Sequence, residues 1–471
     1  MKTFATPILA AFLLSCAALP PVDLKEIHYT QLPANISRAL GSPEVIQRLD
    51  AIRARGLPVT LKELGTWFTP VPAAENAAEI LWPILSQLNT NSLALKLSDD
   101  DRQFLKKVLE PEWKYKPLPA EMAAPLSELL KRYNSQMVAL RDGSRRPHCR
   151  FPIDLSLGAA TLLPHLSNYR TACNLFAIEG LQFADKGEME SAVQNFETLT
   201  RFVLTLRDEP LLISVLVQYA CHNVITSHAE RLLALHLFKF NWQQLARMQA
   251  AIAQLHNPTA LRRAFTTERA MAIDYFTIKP EAWLRFADSG TNSTPKSALA
   301  QARKIVSRPE AAIRTELLFL FDFYDQCELA GSKPYQEQIQ AMKPAFAALQ
   351  AKDAETRYPI SVVMLPVLNK ILARAASNKA QLRCAETGLA IARYRLVNEG
   401  QFPKQLSDLS PRFLPIIPQD PFDNQPLKYR VEEGKVARVH SVGPNLKEDD
   451  LAAKIDSPEK DDILFFIGRR D

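Results

Sequence analysis

The residue types that could carry chemistry come together most closely in the segment ALRDGSRRPHCRFP. There, Arg145 and Arg146 precede His148 and Cys149. Cationic neighbours lower the pKa of a thiol, so this segment holds the best candidate for a reactive cysteine. The favoured alternative is an inert cysteine in a loop.

The same segment is the one local basic cluster in a chain whose net charge is +6 and whose other charges are dispersed. Arg141, Arg145, Arg146 and Arg150 together would suit an anion or nucleic-acid site. No aromatic interleaving and no nucleic-acid motif accompanies them. We therefore predict a solvated loop and no nucleic-acid partner.

Motifs of known catalytic machinery are missing from the sequence. None of the eight histidines belongs to an HExxH motif, and there is no GxSxG, GxGxxG or Walker-type loop. Glu75 and Glu79 are four residues apart and could face the same way on a helix, but sequence cannot place two carboxylates across a cleft. We predict no catalytic residues and favour a non-enzymatic protein; the sequence leaves any small-molecule substrate unknown.

The N-terminus, MKTFATPILAAFLLSCAALPP, has the organisation of an export leader. Lys2 precedes an apolar stretch over residues 4–14, which is too short for an ordinary membrane-spanning helix. The four residues ending at Cys16 resemble a bacterial lipobox, in which the cysteine is lipidated. We predict a leader over residues 1–22 with Cys16 as the lipidation site; ordinary cleaved export and an uncleaved anchor are the alternatives.

Composition and spacing predict a mainly helical fold. The chain has 33 prolines and only 14 glycines, which suits many helices with sharp ends rather than a large β protein. Thr60 and Glu63 form a capping-box pattern. Apolar residues at three-and-four spacing on both sides of Gly187 predict a helical hairpin over residues 165–208. We predict an irregular helical-hairpin bundle or solenoid over residues 23–355.

The remaining cysteines show no CxxC spacing, so we predict no zinc site. Cys173, Cys221 and Cys384 lie in apolar helical patterns and are predicted to be core residues. One or two disulfides remain an alternative in an oxidising compartment.

The C-terminal region, residues 356–471, is predicted to be a long helix followed by a small α+β module. The helix has an apolar seam at Leu382, Ala385, Leu389, Ala392 and Leu396. Proline-rich turns and short extended segments follow it.

The order of motifs in this region resembles the globular part of type II secretion major pseudopilins. The matching features are Tyr394 on the helix, the turn of residues 400–403, the leucines of residues 406–409, the Pro-x-Asp-Pro-Phe turn of residues 418–422, and the segment ending at Tyr429. The resemblance implies an extracytoplasmic module.

Pseudopilins of this kind hold calcium in the loop before the last strand, so the resemblance implies a Ca²⁺ site here. Calcium prefers hard oxygen ligands, and the acidic pairs that flank this loop are Asp449, Asp450, Asp461 and Asp462. Asn445-Leu446 departs from the Asp-Gly that the family prefers, and a solvated acidic turn is the alternative.

Together these features predict an exported or lipid-anchored cell-envelope protein with a structural or protein-interaction role. It would lie outside the cytoplasm, as a membrane-anchored lipoprotein or as a periplasmic or secreted protein, and would bind a protein partner in the envelope. Its contact with the membrane would be through an N-terminal lipid or anchor. The alternatives are a component or client of a type II secretion-like system, and an envelope hydrolase whose site forms from distant residues.

Overall fold

The structure is a computed structural model that describes residues 29–86, 93–279, 303–331, 333–432, 434–448 and 462–468. Its α-helices are α1 (Ala34–Leu40), α2 (Pro43–Ala54), α3 (Leu61–Thr66), α4 (Ala78–Leu85), α5 (Asp99–Val108), α6 (Ala123–Arg132), α7 (Asn134–Gly143), α8 (Leu166–Asp185), α9 (Met189–Leu204), α10 (Leu212–His236), α11 (Trp242–Ala253), α12 (Ala260–Asp274), α13 (Glu310–Ala330), α14 (Tyr335–Gln350), α15 (Ala354–Arg357), α16 (Pro359–Met364) and α17 (Pro366–Val397). The strands are β1 (Lys428–Glu432), β2 (Val436–Ser441) and β3 (Ile463–Ile467). The prediction of a mainly helical chain with a small sheet near its C-terminus is confirmed.

Short 3-10 helices join several of these elements. They are Ala73–Glu75, Pro111–Trp113, Ala120–Met122, Leu155–Ala160, Leu237–Lys239 and Leu406–Leu409. Proline at or just before the start of many of them removes a backbone donor that would otherwise lack a partner.

The predicted helical hairpin is formed by α8 and α9. Gly187 lies in the turn between them with φ of +82°, a conformation that other residues adopt at a cost. On α9, the apolar stripe that includes Val193, Phe196 and Leu199 is fully buried against α8. Helix α10 packs on the same pair. The amphipathic pattern, with one apolar stripe facing inward, therefore determines how these helices pack together.

Two buried clusters form the interior, and α17 contributes to both. Its first half places Leu368, Ile371 and Leu372 in a cluster with α1, α2, α12, α13 and α14. Its second half places Leu382 and Leu389 in a cluster with α8 to α11 and the sheet. Both clusters contain residues from either side of residue 355, and the domain boundary predicted there stays a prediction.

The sheet is antiparallel with the strand order β1-β2-β3. Tyr429 lies opposite Val439, and Val439 lies opposite Phe465. All residues of β2 are buried, whereas the outer half of β1 is exposed. Gly388 on α17 lets the ring of Phe465 approach closely, since a Cβ at residue 388 would lie only 2.3 Å from two ring carbons.

Candidate functional site

The turns after α17 are fastened to the sheet by specific hydrogen bonds. Gly400 adopts φ of +79° where the helix ends. Tyr429 on β1 donates its hydroxyl proton to the carbonyl oxygen of Pro403 at 2.8 Å. The tyrosine therefore ties the start of the sheet to the turn that ends α17.

Asp420 fixes the Pro-x-Asp-Pro turn from the inside. One carboxylate oxygen accepts from the Phe422 N–H at 2.9 Å and the Ser441 hydroxyl at 2.8 Å, and the other accepts from the Val442 N–H at 2.8 Å. Burial raises the pKa of Asp420, although these hydrogen bonds favour the charged form. With both oxygens engaged, Asp420 acts as a structural bridge between the turn and β2.

The end of the acidic loop brings a histidine and two carboxylates together. His440 is fully buried on β2, with its Nε2 atom 3.5 Å from Glu448 Oε1 and 3.9 Å from Asp462 Oδ2. Burial, assisted by the charge of Arg438, lowers the pKa of His440 to about 4, so its ring is neutral at pH 7. Arg430 donates to Glu448 at 2.5 Å and neutralises much of its charge.

Of the four predicted calcium ligands, only Asp462 falls within the described residues; Asp449, Asp450 and Asp461 lie outside them, as does Cys16. Among the described residues, no group of three or more His, Cys, Asp or Glu side chains is arranged to hold a metal ion. The Asp462 carboxylate is the right kind of donor for Ca²⁺, and its place at the start of β3 fits a loop-closing role. The calcium site stays a prediction.

The arginine-rich segment carries structural contacts. Arg141 pairs with Glu179, and Arg146 donates to the carbonyl oxygen of Asn76 at 2.9 Å. Burial, with the nearby charge of Glu209, raises the pKa of the Cys149 thiol. A raised pKa is the opposite of what a nucleophilic cysteine needs, so the inert alternative is favoured.

The acid pair at residues 75 and 79 is divided between two elements. Glu75 ends the 3-10 helix and Glu79 lies in the first turn of α4, with Asn76 between them. The Asn76 side chain accepts from the Ala78 N–H at 3.1 Å. This bond satisfies the first N–H of α4 at the start of that helix, so the two carboxylates do not share one helix.

A buried histidine, carboxylate and serine occur together in a cluster that sequence reasoning missed. His165 Nε2 lies 2.9 Å from Glu209 Oε2, and the Ser214 hydroxyl donates to the same carboxylate. The His165 ring stacks on Phe151 with centroids 4.2 Å apart. A serine hydrolase places the histidine between serine and acid. Here the carboxylate lies in the middle, so nothing activates the hydroxyl.

Glu230 on α10 joins the helices to the sheet. Its carboxylate accepts from the Tyr115 hydroxyl at 2.6 Å and the backbone N–H of Phe466 at 3.0 Å, and lies 2.7 Å from Lys114 Nζ. The outer edge of β3 is thereby covered. These partners are more than a hundred residues from Glu230, which leaves no local sequence signal for the contact.

A second group of side chains at the module includes three exposed apolar residues, the half-buried Phe402 and the buried Arg395. We call this group the module surface: Phe238, Val397, Val431, Phe402 and Arg395. The Arg395 guanidinium carbon lies 4.0 Å from the centroid of Phe402 and 5.0 Å from that of Phe238. Phe238 is 67% exposed and Val431 is 40% exposed.

Val431 extends this surface along the sheet. It shares a face of β1 with Tyr429, two residues earlier. The Tyr429 hydroxyl donates a hydrogen bond to the carbonyl oxygen of Pro403, the residue after Phe402. Among the described strands, β1 pairs with β2 alone. The module surface thus borders an edge of β1 that has no strand partner among the described residues.

Residues 359–397 form one stretch long and apolar enough to cross a membrane by length and composition. Core helices of folded proteins pass the same test, and α17 packs against the sheet and α11.

No family model, no curated protein and no solved structure matches the chain.

Proposed function

We propose that this chain is an exported, lipid-anchored cell-envelope protein that binds another protein through the module surface. The observation that carries the proposal is the exposed ring of Phe238, held over the Arg395 guanidinium beside Phe402. Contiguous exposed apolar groups mark interaction sites on folded proteins. Aromatic and arginine side chains also dominate the energetics of protein interfaces.

The partner is an extended segment of another protein that carries a carboxylate. The edge of β1 that has no partner among the strands that the structure covers offers backbone N–H and C=O groups to an added strand. Arg395 is 8% exposed, and within the described part of the chain it makes no ion pair with a carboxylate. Its Nε donates to the Gly400 carbonyl at 2.9 Å. The Arg395 guanidinium thus has a neutral hydrogen-bond acceptor, and a partner carboxylate would neutralise its charge.

The leader and Cys16 support the export part of the proposal. Radioactive palmitate should label the wild-type protein in cells and should fail to label the Cys16→Ser variant, with the label in the membrane fraction. Unlabelled wild-type protein in the cytoplasmic fraction would contradict both export and lipidation.

The docking part is tested with the photo-crosslinking amino acid p-benzoylphenylalanine, placed in living cells at residue 238 or residue 431. The matched control is residue 138, because Val138 on α7 is 45% exposed and distant in sequence from the module. We expect one shared adduct from residues 238 and 431 and none from residue 138, with the cross-linked peptide mapping to an acidic extended segment. Equal labelling at all three positions, or an adduct of twice the chain mass, would contradict the proposal.

A second candidate is a component or client of a type II secretion-like system. The order of the module elements supports it, since α17, the turn at Gly400, the 3-10 helix, the turn around Asp420 and the sheet follow the order of the pseudopilin resemblance. Identification of the cross-linked partner as a pseudopilin would select this candidate. The arrangement of His165 and Glu209 does not favour the envelope-hydrolase alternative.

A further inference from the structure

A cavity of about 400 Å³ opens between α5 and α8. Its volume lies within the range of about 300 to 1,000 Å³ that is usual for small-molecule sites. Leu97, Leu105, Leu109 and Pro111 form its apolar part.

Most of the polar lining of the cavity comes from two helices. Arg102 and Lys106 are four residues apart on α5 and therefore lie on one face of that helix. Arg170 and Asn174 are four residues apart on α8, with Thr171 beside them. Two helices thus direct cationic groups toward one space.

The positive charge of this lining is poorly compensated within the protein. Lys106 and Arg170 make no ion pair with any carboxylate in the ranges that the structure covers, and both are exposed. Arg102 lies 4.0 Å from Asp99, whose side chain is almost fully exposed, and such a contact contributes little. Glu110 is the one carboxylate among the lining residues. Three cations and one anion leave a net charge of about +2 on the lining.

We propose that this cavity is a binding site for a phosphate monoester on a hydroxyl-bearing body. Such a group carries about −1.5 to −2 charges at pH 7, which matches the net charge of the lining. Arginine and lysine side chains from both helices would donate charge-assisted hydrogen bonds to its oxygens. The Glu110 carboxylate, the Thr171 hydroxyl and the Asn174 amide supply acceptors and donors for the hydroxyl groups of the body.

The first probe is glucose 6-phosphate, titrated calorimetrically into the full-length protein with glucose as the uncharged comparison. We expect saturable binding of the phosphate ester and none of glucose. Lys106→Ala and Arg170→Ala should each weaken binding about tenfold, which corresponds to the loss of one charge-assisted contact. Lys107→Ala is the matched control, since Lys107 is the exposed neighbour of Lys106 on α5 and does not line the cavity.

The source of the phosphate is tested with vesicles that contain phosphatidylinositol 4-phosphate, whose headgroup carries a phosphate monoester on a hydroxyl-bearing ring. Sedimentation with these vesicles that glucose 6-phosphate reverses, and that Lys106→Ala weakens, would identify a lipid headgroup as the ligand. Glucose 6-phosphate binding without vesicle binding would identify a soluble phosphate ester. The proposal is overturned if neither probe binds, or if Lys106→Ala and Lys107→Ala bind equally well.

Discussion

Replacing Gly388 by alanine should destabilise the protein, even though alanine is the better helix former. In an exposed helix interior, glycine to alanine contributes about 1 kcal/mol of stability. At Gly388, the new Cβ would lie 2.3 Å from Cδ1 and from Cε1 of Phe465, whereas ordinary contacts begin near 3.4 Å. The ring would have to retreat by about 1 Å.

The ring of Phe465 cannot retreat cheaply. It is 2% exposed, and its backbone is paired with Val439 in the sheet. Overpacking a well-filled core costs about 1 to 3 kcal/mol, and we expect the upper end here. After the gain in helix propensity, Gly388→Ala should lower the free energy of unfolding by about 2 kcal/mol.

The assay is urea unfolding of the full-length chain, with Gly65→Ala as the matched control. Gly65 also lies in a helix, but a Cβ there would meet Ser156 Cβ at an ordinary 3.4 Å. Gly65→Ala should be neutral or slightly stabilising. The cost of Gly388→Ala should shrink in a Phe465→Leu background, because the smaller side chain relieves the overlap. If Gly388→Ala were as stable as the wild type, the close packing of α17 on β3 would be refuted.

Three further predictions concern buried carboxylates and the acidic loop. Burial raises the pKa of Glu268 from 4.5 to about 7. Because the unfolded chain releases this proton more readily, the folded protein loses stability as the pH rises from about 4.5 to about 7. In urea unfolding, the free energy of unfolding of Glu268→Gln should therefore exceed that of the wild type by about 1 to 3 kcal/mol at pH 8 and equal it near pH 4. A gain in stability that does not depend on pH would contradict this cause. Glu316→Ala should cost about 3 to 5 kcal/mol because it leaves Arg308 as a buried cation without its carboxylate, while Glu310→Ala, at a half-exposed ion pair, should cost under about 1 kcal/mol. If the loop binds Ca²⁺, saturating calcium at about 100 Kd should add about 2.7 kcal/mol over chelator in thermal melts, and Asp462→Ala should abolish that gain.

Local patterns in the sequence predict the helices well because their causes are local. Thr60 and Glu63 form the expected capping box, with the Glu63 N–H donating to Thr60 Oγ1 at 3.2 Å. The apolar seam at Leu382 and Leu389 is buried as its spacing indicates. In both cases the signal lies within a few residues, where periodicity and capping act directly.

Contacts between distant segments leave no such signal. Glu230 receives the N–H of Phe466 across 236 residues, and the cavity between α5 and α8 joins Lys106 with Arg170. In the sequence, Glu230, Lys106 and Arg170 each look like an ordinary charged helix position, and Phe466 looks like an ordinary apolar strand position. The tertiary packing alone gives each of them a partner or a role, so periodicity could not have identified either site.

The sharing of α17 between two buried clusters has a consequence for the timing of folding. Chains are made from the N-terminus at about 5 to 20 residues per second, and early domains usually fold while later ones are still being made. Here neither buried cluster can be completed until α17 has left the ribosome. The first 355 residues therefore expose apolar faces for several seconds or more during synthesis. During that interval the exposed apolar faces make the nascent chain prone to aggregation.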